Sequence, residues 1–431
     1  MHRVSNLLVY KYMNNQTNGL EISKNLFLSP DDRSRNILVT GIPGVGVSRY
    51  LLNLINQDIH SSRPIIIFDQ YGDLAEEIIA SADNEILPKI AYLDLGNNDF
   101  PIGLNLFEEK DEKNRQQIAN TLISLMYDLY DPKHTGVIGP RFEHAVRNAI
   151  LTIMYDENAS FVELLRCLTD ATYLKNILPK VQDPIVLNYW NKQVAQTSDF
   201  HKSEVLDYIV SKLGLFVTDK SMRYILGQSK STFSFLSLFS NYQIILFDFK
   251  NLRRYGDANK IITTILLFKL VNYLEHSAGN PIVNLYIDEA SAWPTTFICD
   301  LLMENRRYGL NLTLTTNKTS EVSLPLKRAL SRVGTLVSFR QTTEEAKVIV
   351  PEFHSQQITV DKLCLLKKYQ AYLKTLQDGN VVIKEEPVNF EQNLPENKID
   401  KVKVGEFKNQ SQKKFGIDRQ TVESDLQKRM G

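Results

Sequence analysis

The sequence has few cysteines, no net charge and no long apolar run. Its three cysteines, Cys167, Cys299 and Cys364, lie far apart and form no CxxC pair, which argues against a disulfide framework or a zinc site. Lysine and arginine together number 50, as do aspartate and glutamate, so any nucleic-acid contact must come from a local basic patch. No stretch approaches the roughly 20 apolar residues that a membrane-spanning helix needs. We therefore expect a cytoplasmic protein that reaches a membrane only by recruitment to a partner.

Short apolar runs separated by helical patterns dominate the chain. Of its 431 residues, 43% are apolar and 23% are charged, which is typical of a soluble globular protein with two or three compact units. Apolar runs begin near residues 37, 65, 90, 244, 283, 312 and 335, and such unalternating runs suit parallel strands covered on both faces. The pattern predicts an α/β fold with a doubly wound, mainly parallel sheet. The Asp378-Gly379 pair between two further runs predicts an antiparallel hairpin at its edge.

Helical periodicity interrupts the strand rhythm from about Asn105 to Tyr224, which predicts an all-α subdomain inserted into the sheet domain. Beyond Phe390 the chain is polar and charge-rich until Asp418, a candidate N-cap, begins a last helical pattern. The predicted segments are an N-terminal β element at 1–35, the two parts of a P-loop core at 36–104 and 226–390, the all-α insertion at 105–225, a flexible linker at 391–417 and a C-terminal helix at 418–431.

A glycine-rich turn at residues 41–48 lies between an apolar run and a helical pattern. This is the setting of a phosphate-binding P-loop, G-x-x-x-x-G-K-[ST], whose backbone N–H groups converge on phosphate oxygens. Gly41 and Gly46 have the required spacing, and Ser48 stands where a magnesium-binding hydroxyl belongs. Val47 occupies the lysine position, and an aliphatic side chain cannot offset the charge of the transferring phosphate. The predicted nucleotide-binding residues are Gly41, Pro43, Gly44, Val45, Gly46, Val47, Ser48 and Arg49.

Two adjacent carboxylates, Asp288 and Glu289, follow the apolar run at 283–287. The carboxyl edge of a parallel sheet is where open α/β folds bind ligands. In a P-loop machine Asp288 would orient magnesium and Glu289 would polarise the attacking water. An acidic N-cap of a following helix is the alternative interpretation of the same pair.

The order of these parts resembles the HerA/FtsK branch of P-loop ATPases, and in particular the VirD4/TraD-type coupling proteins that move DNA into type IV secretion channels. The resemblance covers about residues 20 to 385. The stretches that carry it are residues 31–35, the P-loop, residues 67–73 (Ile-Phe-Asp-Gln-Tyr-Gly-Asp), 139–143 within the helical insertion, 287–289 and 306–317.

The resemblance implies a ring, usually of six subunits, with ATP and Mg²⁺ bound between neighbours and DNA in the central pore. It also implies a secretion-channel partner or a hetero-oligomer as further possibilities. By this resemblance Ser48 and Asp288 would hold the metal, Glu289 would activate water, Arg306 or Arg307 would reach the neighbouring subunit's nucleotide, and Asn317 would stand at the position of a sensor glutamine. Adjacent arginines near a helix end also commonly complement the helix dipole instead.

Val47 and Asn317 depart from the family pattern, and Asn317 is one methylene shorter than glutamine. Arg49 cannot replace the P-loop lysine, because two positions along a helix turn a side chain about 200° away. The favoured hypothesis is a DNA-transfer or DNA-translocation ATPase fold with weak or lost hydrolysis. One alternative is an active pump with a displaced lysine, such as Lys250 or Lys318. The other is a non-catalytic scaffold that docks through the helix at Asp418.

Two basic clusters with an aromatic residue, Arg253-Arg254-Tyr255 and Lys367-Lys368-Tyr369, have the composition of single-strand nucleic-acid contacts. Charged turns have the same composition, so this interpretation stays open. Trp293-Pro294 could likewise stack a base, or the tryptophan could pack beside a helix start.

Overall fold

The structure is a computed structural model that describes residues 19–61, 63–108, 111–195, 199–277, 281–320, 322–391 and 399–430. Its strands are β1 (Leu20–Ser23), β2 (Leu26–Leu28), β3 (Ile37–Thr40), β4 (Ile65–Asp69), β5 (Ile90–Asp94), β6 (Ile244–Asp248), β7 (Val283–Ile287), β8 (Leu310–Thr316), β9 (Thr335–Phe339), β10 (Gln370–Gln377) and β11 (Asn380–Asn389).

The α-helices fall before, within and after the segment between β5 and β6. Before it lie α1 (Pro30–Arg33), α2 (Val47–Ile59) and α3 (Asp73–Ser81). Within it lie α4 (Glu112–Tyr130), α5 (Pro140–Ile153), α6 (Phe161–Thr169), α7 (Ala171–Ile177), α8 (Pro184–Asn188), α9 (Asp199–Leu213), α10 (Leu215–Thr218), α11 (Lys220–Leu226) and α12 (Phe235–Asn241). After it lie α13 (Ala258–His276), α14 (Thr295–Glu304), α15 (Leu324–Leu330), α16 (Thr343–Ile349), α17 (Val360–Cys364), α18 (Lys401–Phe415) and α19 (Arg419–Met430).

A nine-stranded sheet has the order β11-β10-β9-β3-β8-β7-β4-β6-β5. Strand β3 is parallel to both of its neighbours, β8 and β9, and β7 is parallel to both β4 and β8. All residues of β3, β7 and β8 are buried, as expected for strands covered on both faces. The carboxyl ends of β3, β7 and β8 therefore meet at one edge, which brings the P-loop beside the turn after Ile287. The predicted doubly wound, mainly parallel sheet is confirmed.

The sheet closes with an antiparallel hairpin, as predicted from Asp378-Gly379. Strand β10 pairs antiparallel with both β9 and β11. Both turn residues have positive φ, 51° for Asp378 and 79° for Gly379, which is the geometry of tight hairpin turns. This hairpin brings the start of β10 close to the strand that precedes the P-loop.

The described residues fall into two compact units. The first contains the described residues of 19–91, 241–247 and 274–405, and the second those of 92–240, 248–273 and 406–430. Between β5 and β6 the described residues form helices and no strand, so the predicted interruption of the sheet by an all-α segment is confirmed. The boundaries at 36–104, 105–225 and 226–390 stay predictions.

The predicted N-terminal β element is represented by β1 and β2, which form a separate two-stranded antiparallel sheet. Residues 1–18 of this predicted element lie outside the described residues. Tyr50 of α2 donates a hydrogen bond to the carbonyl of Ile22 at 2.9 Å, and this bond ties β1 to the helix that follows the P-loop.

A buried ionic cluster fixes α2 against β7 within the first unit. Arg33 donates to Asp58 at 2.6 Å, and the hydroxyl of Tyr286 donates to the same carboxylate at 2.5 Å. Both charged side chains are about 5% exposed, so each depends on its partner to avoid an unpaired buried charge. Since Tyr286 lies two residues before Asp288, this cluster fixes the strand that carries the acidic pair.

The predicted flexible linker at 391–417 is wrong over Lys401–Phe415, which forms helix α18. Its sequence is polar, and Val404 and Phe415 are the large apolar side chains that it buries, so the apolar periodicity was too sparse to indicate a helix. In the first unit Lys403 donates to the carbonyls of Ala80 and Ala82, at 3.1 and 2.5 Å, at the end of α3. A lysine in this position satisfies carbonyls that a helix end leaves unpaired. Residues 392–398 lie outside the description.

A helix also covers Arg419–Met430, where the sequence predicted one. In the second unit its stripe residues Val422 and Leu426 are each 3% exposed, and Arg429 donates to both carboxylate oxygens of Glu163 at 2.9 and 2.8 Å. Met430, the third residue of the predicted stripe, is 46% exposed, so this chain covers two of its three apolar residues and leaves little apolar surface for a partner. None of the described helices is long and apolar enough to cross a membrane.

Candidate nucleotide-binding site

The loop between β3 and α2 requires glycine at three positions. Gly44 and Gly46 have φ of 83° and 121°, a region in which a side chain is strained. A β-carbon at Gly41 would lie 2.8 Å from the β-carbon of Phe339 and 2.9 Å from Val47 Cγ2. Gly46 caps α2 without a side-chain hydrogen bond, so the first amides of this helix are left for an external acceptor. The loop therefore has the backbone of an anion cradle.

A cavity of about 620 Å³ opens at this loop, a volume in the range of small-molecule sites. It is formed within the first unit. Its lining residues are Gly41, Ile42, Pro43, Gly44, Gly46, Val47, Ser48, Arg49, Tyr71, Asp288, Glu289, Asn317, Lys368 and Tyr369.

Most of the residues predicted for the site lie on this cavity. Val45 is an exception, since its side chain is fully buried and packs beneath the loop near Gly41. Arg306 and Arg307 are also absent from the lining. Within the first unit Arg306 pairs with Asp31 at 3.8 Å, and Arg307 pairs with Glu275 and Glu304 at 3.0 and 3.2 Å.

Hydrogen bonds orient the acidic pair at the end of β7. The hydroxyl of Thr315 on β8 donates to Asp288 Oδ1 at 2.7 Å and accepts from the backbone N–H of Glu289 at 2.8 Å. Glu289 has a φ of 54°, an uncommon conformation for a side chain other than glycine. The indole of Trp293 donates to the carbonyl of Asp288 at 2.8 Å. Trp293 is 1% exposed, so it packs beneath the pair and cannot stack a base.

Burial makes both carboxylates weaker acids than usual. Desolvation and then the neighbouring charge of Asp288 raise the pKa of Glu289 to about 7, although the backbone N–H of Asn317 and the ammonium of Lys318 act to lower it. Burial also raises the pKa of Asp288, while the hydroxyl of Thr315 opposes this effect. A carboxylate whose pKa lies near the working pH is suited to take a proton from water.

The side chain of Asn317, which follows β8, has an unsatisfied oxygen. Its Oδ1 is buried and accepts no hydrogen bond from the described residues. A buried acceptor of this kind calls for a donor that the protein does not supply, such as a bound water. Ser48, Asp288 and Asn317 present the oxygen ligands that Mg²⁺ prefers, directly or through its waters.

No group of three or more His, Cys, Asp or Glu side chains among the described residues could hold a metal ion. Magnesium is commonly held through one or two carboxylates together with substrate phosphates. The cavity residues therefore fit a magnesium nucleotide better than a free metal ion.

Sequence reasoning missed Tyr71, Lys368 and Tyr369 as residues of this cavity. Lys368 and Tyr369 were noted only as a basic cluster with an aromatic residue. They reach the loop because β10 follows β9 in the sheet order and β9 pairs with β3. Their own sequence contains no signal for this placement.

Comparison with solved structures identifies proteins of similar fold. No family model matches the chain, and no curated protein matches it in sequence. The plasmid coupling protein TrwB in complex with ADP and Mg²⁺ is similar, with a TM-score of 0.65 and 14% identity over 88% of this chain and 90% of that one. The unbound bacterial conjugative coupling protein TrwBdeltaN70 has a TM-score of 0.64 and 14% identity, over 90% and 93%.

VirB4 of Thermoanaerobacter pseudethanolicus is also similar, with a TM-score of 0.59 and 14% identity over 87% of this chain and 97% of that one. These likenesses extend over nearly the whole of both chains. The chain therefore has the fold of the TrwB and VirB4 P-loop ATPases, and the predicted resemblance to coupling proteins is confirmed at the level of the fold.

Proposed function

We propose that this chain is a nucleotide-binding P-loop protein of the coupling-protein type that serves DNA transfer and hydrolyses ATP weakly or not at all. One observation carries the proposal: a single cavity combines a glycine cradle, Ser48 and the Asp288-Glu289 pair with Val47 at the lysine position. The similar structure of TrwB was obtained with ADP and Mg²⁺, which supports a nucleotide as the ligand.

Each lining residue has a role that follows from its chemistry. The backbone N–H groups of Gly44, Gly46 and Ser48 hold phosphate oxygens, and the Ser48 hydroxyl and Asp288 hold Mg²⁺. When bound, Mg²⁺ supplies positive charge to the phosphate oxygens. Glu289 orients a water molecule and accepts its proton.

Weak hydrolysis follows from the cations that the loop itself carries. Val47 supplies none, and Arg49 lines the cavity but pairs with Glu77 at 2.6 Å. A cation at the transferring phosphate can contribute about 10³ or more in rate. Charge that develops on the phosphate is therefore poorly compensated from the loop.

The proposal includes a ring, a homo-hexamer or a hetero-oligomer, with DNA in its pore and recruitment to a secretion channel at a membrane. Arg306 and Arg307 are the residues proposed to reach a neighbouring subunit's nucleotide. Their side chains are 52% and 66% exposed, and exposed ion pairs are worth little, so either arginine can exchange its present partner for a phosphate at small cost.

We expect the purified protein to show no appreciable ATP turnover, with or without DNA, because the loop lacks its cation. The measurement is phosphate release with Glu289→Gln as the matched control, since this variant removes the proposed proton acceptor and keeps the side chain's size. Turnover of a few per second that Glu289→Gln abolishes would contradict weak hydrolysis and support the active pump.

Measurements of mass and of DNA binding distinguish the scaffold alternative from the proposed function. A stable monomer that ignores both nucleotide and DNA would favour the scaffold alternative. Two of the three apolar residues of the α19 stripe, Val422 and Leu426, are buried in this chain, which weakens the docking role that this alternative gives to the helix.

A further inference from the structure

We propose that Lys368 provides the cation that position 47 lacks, and that its ammonium binds the terminal phosphates of the nucleotide in the P-loop cavity. The proposal rests on the proposed function, because it assigns a residue to the nucleotide site described there. Lys368 lies on the loop before β10, more than 300 residues from Val47 in sequence, yet both line the same cavity.

The charges around the cavity single out this lysine. Asp288 and Glu289 are its carboxylates, and Arg49 and Lys368 are the cations among its lining residues. Arg49 is paired with Glu77, whereas Lys368 has no carboxylate within 4.0 Å among the described residues. A polyphosphate would thus meet two carboxylates and one cation that is not already in an ion pair.

The ammonium of Lys368 makes a weak contact with the ring of Tyr369. It lies 4.7 Å from the centre of the ring. A cation–π contact at an exposed site is weak and contributes less than a charge-assisted hydrogen bond to phosphate. Transfer of the ammonium from the ring to a phosphate is therefore favourable.

The backbone beside Lys368 is fixed to the P-loop itself. The N–H of Tyr369 donates to the carbonyl of Val45 at 2.8 Å, and the carbonyl of Tyr369 accepts from the N–H of Phe390 at 2.9 Å. The Tyr369 ring covers Gly46, where a β-carbon would lie 2.6 Å from its Cδ1. Lys368 therefore immediately precedes a residue whose backbone is hydrogen-bonded to the P-loop.

Tyr369 adopts a strained conformation to make this connection. Its φ is 64°, in the left-handed region, where a bulky side chain is strained. Such outliers persist where the surroundings impose them, commonly at ligand sites. The N–H of Phe390 donates to the carbonyl of Tyr369. The ring of Phe390 packs against those of Tyr50 and Phe339, with centroid distances of 4.8 and 5.7 Å. Packed aromatic rings therefore fix the residue that holds Tyr369 in place.

Lys318 and Lys367 are the other lysines to consider, and they differ from Lys368 in position. The ammonium of Lys318 lowers the pKa of Glu289, but Lys318 does not line the cavity. Lys367, the immediate neighbour of Lys368, is exposed and also absent from the lining. Lys367 therefore gives a matched control for charge that is near the cavity but not on it.

The test is titration of Mg-ADP, Mg-ATP and AMP onto the full chain and its variants. We expect Lys368→Gln to weaken Mg-ADP and Mg-ATP binding by about tenfold or more, because a charge-assisted hydrogen bond to phosphate is lost. AMP lacks the terminal phosphates, so its affinity should change by less than about twofold. Lys367→Gln should leave all three affinities within about twofold, and Lys368→Arg should retain most of the wild-type affinity.

The double variant Val47→Lys with Lys368→Gln should recover Mg-ADP binding, because it returns a cation to the loop. Equal affinity of wild type and Lys368→Gln, or an equal loss with Lys367→Gln, would overturn the assignment of Lys368 and leave the proposed function standing. A wild-type chain that binds none of the nucleotides would overturn the proposed function and this assignment together.

Discussion

Replacing Val47 by lysine is expected to tighten Mg-ADP binding by about 10- to 100-fold. Hydrogen bonds to charged groups contribute about 1.5–3 kcal/mol, and each 1.4 kcal/mol is a factor of ten in affinity. Val47 lines the cavity directly after Gly46, so a lysine side chain at this position begins at the wall of the cavity. The measurement is calorimetric titration at a fixed salt concentration.

Val47→Met is the matched control for Val47→Lys, because it adds a long side chain without a charge. We expect it to leave the affinity within about twofold of wild type. An unchanged dissociation constant for Val47→Lys, in both the wild-type and the Lys368→Gln background, would show that the loop does not receive phosphates. If Lys368 already contacts the same phosphates, the effects of Val47→Lys and Lys368→Gln will not add, as is usual for residues that share one partner.

Glu289→Gln is expected to stabilise the ligand-free chain by about 3 kcal/mol at pH 8. Burial and Asp288 raise the pKa of Glu289 from 4.5 to about 7. Between these values the folded protein holds a proton that the unfolded chain has lost, so the free energy of unfolding falls as the pH rises through this window. Each pKa unit corresponds to about 1.4 kcal/mol, and glutamine escapes this cost because it does not ionise.

The stability difference should be small at pH 5 and fully developed at pH 8, as measured by urea denaturation with EDTA and without nucleotide. Glu344→Gln, at an exposed position on α16, is the control and should change stability little at either pH. A Glu289→Gln chain that is no more stable than wild type at pH 8 would show that Glu289 is not held in a desolvated site. Stabilisation on removal of a functional group is common where activity needs an unfavourable arrangement.

The placement of the P-loop, Asp288 and Asn317 could be predicted because each follows a buried strand. Parallel strands end at one edge, so residues directly after β3, β7 and β8 must approach one another once the strands are neighbours in the sheet. Runs such as residues 37–40 and 283–287 are short and unalternating, which distinguishes such strands from amphipathic helices.

The approach of Lys368 and Tyr369 to the loop could not be predicted from their own sequence. It depends on where the closing hairpin joins the sheet, and two antiparallel strands can be added at either edge. The structure places β10 beside β9, next to the strand that carries the P-loop. The strained φ of Tyr369 is likewise a tertiary effect, imposed by its bonds to Val45 and Phe390.

Helix α18 was missed for a different physical reason. Its core contacts come from few side chains, and Lys403 contributes through its ammonium at the carbonyls that end α3. Polar contacts of this kind leave no apolar period in the sequence. A polar, charge-rich composition therefore indicated a linker where a helix docks.

The central claim is that residues 41–48 retain a phosphate-receiving backbone although position 47 no longer carries a cation. The most direct test is an experimental structure of the wild-type chain with ADP and Mg²⁺. We expect the β-phosphate within hydrogen-bond distance of the backbone N–H groups from Gly44 to Ser48, with Lys368 turned away from the Tyr369 ring toward the phosphates. A cavity without nucleotide at saturating ADP, or phosphates bound away from this loop, would contradict it.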